Sequence, residues 1–160
     1  MPRRPGESVV PLSDVQNIEV QHLFHEPVQL VWDRYTDHVG WTKWAGLGTA
    51  RLTREGVPAP NGVGCVRAFS SAGITAVQEE VTSFEPPRRM TYRIVKGGGP
   101  LKDHRGEVVL EPHAGGTLLT WRVQFRSGIP GLGGVLRSMI EAMFRRALAR
   151  LDQHLRAGYA

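Results

Sequence analysis

In the segment VGCVRAF, residues 63–69, an arginine alternates in step with apolar residues, so Arg67 falls on one strand face with Val63, Cys65 and Phe69. A guanidinium placed there has to meet an acceptor, because an unpaired charge in an apolar interior is strongly unfavourable. Glu80 of VQEEV is the expected acceptor. The alternating sets Gln78/Glu80/Thr82 and Val77/Glu79/Val81 leave open which glutamate points inward. An arginine in this setting is also suited to a carboxylate, phenolate or carbonyl oxygen on a ligand. Tyr92, between Met90 and Ile94, offers a hydroxyl that holds a carbonyl or donates a proton. His104, in register with Val108 and Leu110, offers an acid or base near neutrality. Arg67, Tyr92 and His104 are therefore the catalytic candidates. Each has a plain counterpart: a strand-edge arginine, a core tyrosine, and a turn histidine in Asp103-His104-Arg105.

Other chemistries find less support. Cys65 is the single cysteine, with no histidine near it in sequence, and reads as inert core. His22, His25, His38, His104, His113 and His154 show no metal-ligand spacing, so neither zinc nor another metal is expected. GIPGLGG, residues 128–134, has Leu136 where a dinucleotide fingerprint carries its last glycine, and no βαβ unit surrounds it, so no cofactor is expected. The net charge of +5 is spread without a dense basic run, which argues against nucleic acid. No run of eighteen apolar residues is present to span a membrane. With a lone cysteine and no secretory pattern, a cytoplasmic location is expected.

The elements that position these groups follow from hydrophobic period. Residues 1–14 read as a disordered leader, and 15–158 as one domain. NIEVQHLF alternates as a first strand. In HEPVQLVWDRYTD the period becomes helical through Val28, Val31, Trp32 and Tyr35, and Asp37 is placed to cap a second short helix carrying Trp41 and Trp44. Strands and turns fill the chain to residue 126, with Asn61-Gly62 a turn signal. The clearest strand is TLLTWRVQF, where Leu119, Trp121, Val123 and Phe125 share one face. Such strands, dry on one side only, predict an antiparallel sheet. From Leu132 to Leu155 an apolar stripe at three-and-four spacing predicts a long helix buried on the dry face. The expected fold is α+β: a curved antiparallel sheet of about seven strands around a long C-terminal helix, with two short helices after strand 1.

EPVQLVWDRYTDHVGWTKW, GVGCVRAF, EEVTSFEPPRRMTYRI, GTLLTWRVQF and the terminal helix, in that order, resemble the SRPBCC superfamily. This group holds START-like lipid-transfer domains, plant pathogenesis-related allergens and bacterial polyketide cyclase/dehydrase-like proteins. The resemblance implies a helix-grip fold with a cavity between sheet and helix for a lipid, polyketide or quinone-like molecule.

Trp41 and Trp44 would then close one end of the chamber, and Trp32 would pack the first helix on the sheet. Arg67, Phe69, Glu80, Tyr92, Val108, Leu119 and Trp121 would line it from the sheet, and Leu136, Met139, Ile140 and Met143 from the helix. The glycine-rich segment before the helix would be the entrance. A carrier or chaperone of a hydrophobic small molecule is expected, as a monomer or weak homodimer. The alternatives are a polyketide aromatase/cyclase and an accessory protein-binding module.

Overall fold

A computed structural model describes residues 15–71 and 74–158. The proposed leader lies outside the described residues. Seven strands follow the order β1 Val15–Phe24, β2 Thr49–Arg54, β3 Val66–Ser71, β4 Ile74–Glu85, β5 Arg89–Gly97, β6 Leu101–His113 and β7 Gly116–Ser127. They form one antiparallel sheet in the spatial order β1-β7-β6-β5-β4-β3-β2. The first strand closes against the last, pairing Ile18 with Val123 and Val20 with Trp121. Ala114 and Gly115 turn β6 into β7 with left-handed backbone, as a tight hairpin between right-twisted strands demands.

The predicted alternation places side chains as expected. Ile18, Val20 and Phe24 of β1, Met90 and Tyr92 of β5, Val108 and Leu110 of β6, and Leu119, Trp121, Val123 and Phe125 of β7 are buried on one face. His104 follows the same register and is buried with them. Arg122, Glu107, Glu19 and Arg89 occupy the other face and pair with one another. At Gly106, directly opposite Tyr92, the missing side chain leaves room for the phenol ring, which a Cβ there would strike.

Between β1 and β2 run α1, Val28–Thr36, and a 3-10 turn, Val39–Lys43. Val31, Trp32 and Tyr35 form the buried face of α1, and Trp32 packs against Phe84 at 5.2 Å. The second short helix is this single 3-10 stretch. Asp37 Oδ1 accepts the Gly40 N–H at 3.1 Å and fixes its start, and Trp44 falls just beyond it.

The terminal helix α2, Gly133–Arg156, lies mainly along β1 and touches β7. Phe144, Ala147, Leu148, Leu151 and Leu155 are buried, and Phe144 stacks on Trp121 with centroids 3.8 Å apart. Asp152 accepts from or pairs with His22 of β1 at 3.1 Å and is also held by Arg156, pinning the second half of the helix. The expectation of burial along the whole stripe fails in the first half. Leu132, Val135, Met139 and Met143 are exposed, because the stripe bends away from the contact line that Leu136, Ile140 and Phe144 follow.

The two halves of α2 therefore differ in what they contribute. Leu151→Ala should cost about 2–5 kcal/mol of unfolding free energy, and Met139→Ala less than about 0.5 kcal/mol, by urea denaturation. Equal losses would mean that the first half packs like the second.

Candidate functional site

Arg67 lies on β3 directly opposite Glu79 of β4, and both point to the inner face. Its side chain is wholly buried. Nε donates to Glu79 Oε2 at 2.9 Å. Nη2 lies 2.8 Å from the same oxygen, an ion-pair contact without hydrogen-bond alignment. Nη1 has no hydrogen-bond partner among the described residues. Three rings surround the guanidinium: Tyr92 at 4.5 Å, Trp41 at 4.9 Å and Phe69 at 5.4 Å. Burial opposes the cation, but Glu79 and the neighbouring phenols outweigh it and hold its pKa above the ordinary arginine value.

Glu80, the acceptor expected from the sequence, does not take part. It points to the outer face and pairs with Arg54 and Arg93. A register shift between Val81 and Ser83 decides which glutamate turns inward: it lets Phe84 and Val81 face the core together, and Glu79 then follows the regular alternation Val77, Glu79, Val81. A bulge is local backbone geometry and leaves little trace in the residues Val81-Thr82-Ser83. Val63, expected beside Arg67, lies outside the strand and is exposed.

Around this ion pair, buried polar groups gather from separate elements. Trp121 Nε1 donates to Tyr92 Oη at 2.6 Å, and Trp41 Nε1 donates to the Tyr35 carbonyl at 2.6 Å. Trp41 stacks on Phe69, and Tyr35 packs edge-on against Trp41 and Trp121. Tyr35 Oη, Trp44 Nε1, His38 Nε2 and His104 Nδ1 are buried without hydrogen-bond partners among the described residues. His38 Nδ1 lies 3.8 Å from Cys65 Sγ, so the thiol does have a histidine neighbour after all, brought from 27 residues away.

Burial sets the protonation of this cluster. It raises the pKa of Tyr35 and of Tyr92, reinforced by the charge environment of Tyr92 and Glu79 respectively. It lowers those of His38, with help from Arg67, and His104. The Cys65 thiol is pushed up by burial. At neutral pH the phenols, imidazoles and thiol are thus uncharged, and Arg67 and Glu79 carry the only charges of the group. Phenol, indole and guanidinium groups in this arrangement have the chemistry to donate N–H or O–H to an acceptor oxygen and to stabilise negative charge on it.

Of the residues expected to line a chamber, Trp41, Trp44, Phe69, Tyr92, Val108, Leu119 and Trp121 are buried on the inner face. Leu136 and Ile140 are half-buried, whereas Met139 and Met143 are exposed. Tyr35, His38 and Glu79 complete the cluster. Tyr35 reads in sequence as helical core and His38 as one of several scattered histidines, so only the fold brings them to Arg67. A concavity of about 840 Å³ lies elsewhere, on the outer face around Arg89, Arg105 and Arg122. Its charges largely satisfy each other, so we place the candidate site at the buried cluster instead. No three His, Cys, Asp or Glu side chains converge as a metal site among the described residues.

Two measurements follow. Glu79→Ala should destabilise by about 3–5 kcal/mol, since it strands the Arg67 charge, whereas Glu80→Ala should cost less than about 1 kcal/mol in equilibrium unfolding. The reverse order would mean that the pair is misassigned. Because His38 and His104 have folded pKa values below the unfolded value of 6.5, the unfolded state binds more protons below that pH. Stability should be fully present above about pH 6.5 and fall as pH drops below it, with a shallower slope in His38→Gln. A flat profile from pH 7 to 5 would contradict this burial.

Comparison with solved structures places the fold. XoxI from Bacillus cereus superposes with a TM-score of 0.71 at 15% identity, covering 86% of this chain and 93% of that one. A Thermobifida fusca protein gives 0.71 at 20% identity, with 85% and 90% covered. CalU16 from Micromonospora echinospora gives 0.63 at 24% identity, with 87% and 75% covered. At these identities the likeness is one of fold. No curated protein matches the chain. The family described as polyketide cyclase / dehydrase and lipid transport matches residues 16–156, from the first strand to the end of the terminal helix. With the sheet, the gripping helix and the match all spanning the same residues, the chain belongs to that polyketide cyclase/dehydrase and lipid transport family.

Proposed function

We propose that the protein carries a medium-sized hydrophobic small molecule whose oxygen-bearing end is held at Arg67. The observation that carries this reading is the group of buried donors around that residue. Arg67 Nη1, Tyr35 Oη and Trp44 Nε1 lack protein acceptors among the described residues. Leaving such groups unpaired costs about 1–3 kcal/mol each, and a ligand carbonyl, phenol or carboxylate would satisfy several at once. The surrounding Trp41, Phe69, Trp121 and Phe144 would take the apolar body, at roughly 25 cal/mol per Å² before ordering costs. Those rings pack closely on one another, so a ligand would enter by parting Phe144 from Trp121 or Trp41 from Phe69.

A second reading, a polyketide aromatase/cyclase-type enzyme, is favoured by the neutral acid–base groups beside the cation. Arg67 would stabilise an enolate oxygen, the Tyr92 hydroxyl would donate a proton, and His38 Nε2 would accept one. Holding a poly-β-keto chain in one conformation would supply the rest.

Native mass spectrometry, followed by organic extraction, tests occupancy. The expected outcome is a co-purifying apolar molecule whose affinity falls about tenfold in Tyr35→Phe and further in Arg67→Met, with the fold retained by circular dichroism. Unchanged affinity in both folded variants would remove the assignment. Conversion of a linear poly-β-ketone to a cyclised product, lost in Tyr92→Phe, would select the enzyme over the carrier.

A further inference from the structure

The first half of α2 carries an apolar stripe that none of the described residues covers. Leu132, Val135, Met139 and Met143 recur at intervals of three and four on one helix face, extending roughly 16 Å. Val135 is 56% and Met139 63% exposed, and Ile129 in the preceding turn extends the patch. Among the described residues, half of the exposed large apolar side chains fall between residues 129 and 143. Scattered singly, such residues would mean nothing, but a contiguous set marks a contact surface. A shallow groove of about 520 Å³ runs along it, lined by Ser138, Met139, Ile140, Ala142, Met143 and Arg146.

Charge identifies the occupant. Arg146 and Arg150 stand seven residues beyond Met139 and Met143, so they continue the same face by two turns. At the other end the Lys102 side chain lies against Gly128, next to Ile129. None of these three cations makes an ion pair among the described residues. The acid of this stretch, Glu141, is on the opposite side of the helix and is bound to Arg145. An apolar strip with cations at both ends matches a bilayer surface, where acyl chains lie beneath negatively charged head groups. A second copy matches it poorly, because a two-fold pairing would bring these cations against one another.

We infer that the first half of α2 docks on an anionic lipid surface, with Val135, Met139 and Met143 inserted at the head-group boundary. This surface is separate from the Arg67 cluster, and the inference stands whether or not the interior takes a ligand.

Vesicle flotation with the full chain tests it. Vesicles of phosphatidylcholine mixed with phosphatidylglycerol should bind the protein at least about tenfold more tightly than phosphatidylcholine alone, and added salt should weaken the binding. Val135→Ser with Met139→Ser should reduce binding about tenfold or more, and both positions are exposed, so the fold should persist. Lys102→Gln with Arg146→Gln should erase the preference for anionic vesicles. The inference is overturned by absence of vesicle binding, by equal binding to both compositions, or by binding that the serine pair leaves unchanged. Self-association in sedimentation velocity that the serine pair abolishes would also overturn it, giving the stripe to another copy of the chain.

Discussion

A fully buried arginine constrains everything around it. The Arg67 guanidinium has left water and must be compensated within the sheet, and the compensation comes from Glu79 directly across the strand pair and from three aromatic faces. An interior cation of this kind is stabilised only if its partner is fixed, since the same low dielectric that strengthens a good pair magnifies a poor one. The bulge that turns Glu79 inward, the glycine that admits the Tyr92 ring and the hydrogen bond that holds Trp41 all serve that fixation. Replacing a buried ion pair with well-packed apolar residues of similar volume is often neutral or stabilising, so a pair such as Arg67 and Glu79 is weak evidence of selection for stability.

The helix-grip arrangement explains how a polar cluster sits inside an otherwise apolar shell. The inner sheet face supplies Arg67, Glu79, Tyr92 and His104 from three adjacent antiparallel strands and one neighbour. The segment after β1 folds over them and brings Tyr35, His38, Trp41 and Trp44. The second half of α2 closes the side along β1 through Phe144 and Leu151. Each of these layers carries both large apolar area and one or two polar atoms. Orientation and affinity can therefore be supplied by different groups on the same walls, which is the usual division of labour in a small-molecule site.

The two halves of α2 illustrate how one sequence pattern serves two environments. Its apolar positions keep helical spacing from Leu132 to Leu155, but in the first half the core takes Leu136 and Ile140 and leaves Val135, Met139 and Met143 exposed. An apolar arc wider than the line of contact leaves its flanking residues facing outward. Methionine at two of the outward positions gives that face flexible, polarizable side chains, suited to an irregular or fluid contact more than to a fixed core.

The sequence by itself determined the class of fold, a sheet of about seven strands, and the dry and wet faces of β1, β5, β6 and β7, and it singled out Arg67 and Tyr92 as candidates for inward polar groups. These follow from period two and period 3.6, which are properties of local backbone geometry and survive without knowledge of the neighbours. Tertiary structure alone decided that Glu79 and not Glu80 meets the arginine, because one bulge reverses the alternation of β4. It alone joined Tyr35 and His38 to the cluster and set His38 beside Cys65, since proximity across 27 or more residues depends on how the chain packs. It also left Met139 and Met143 uncovered: a pattern shows which helix face is apolar, while the extent of the opposing surface determines how much of that face is buried.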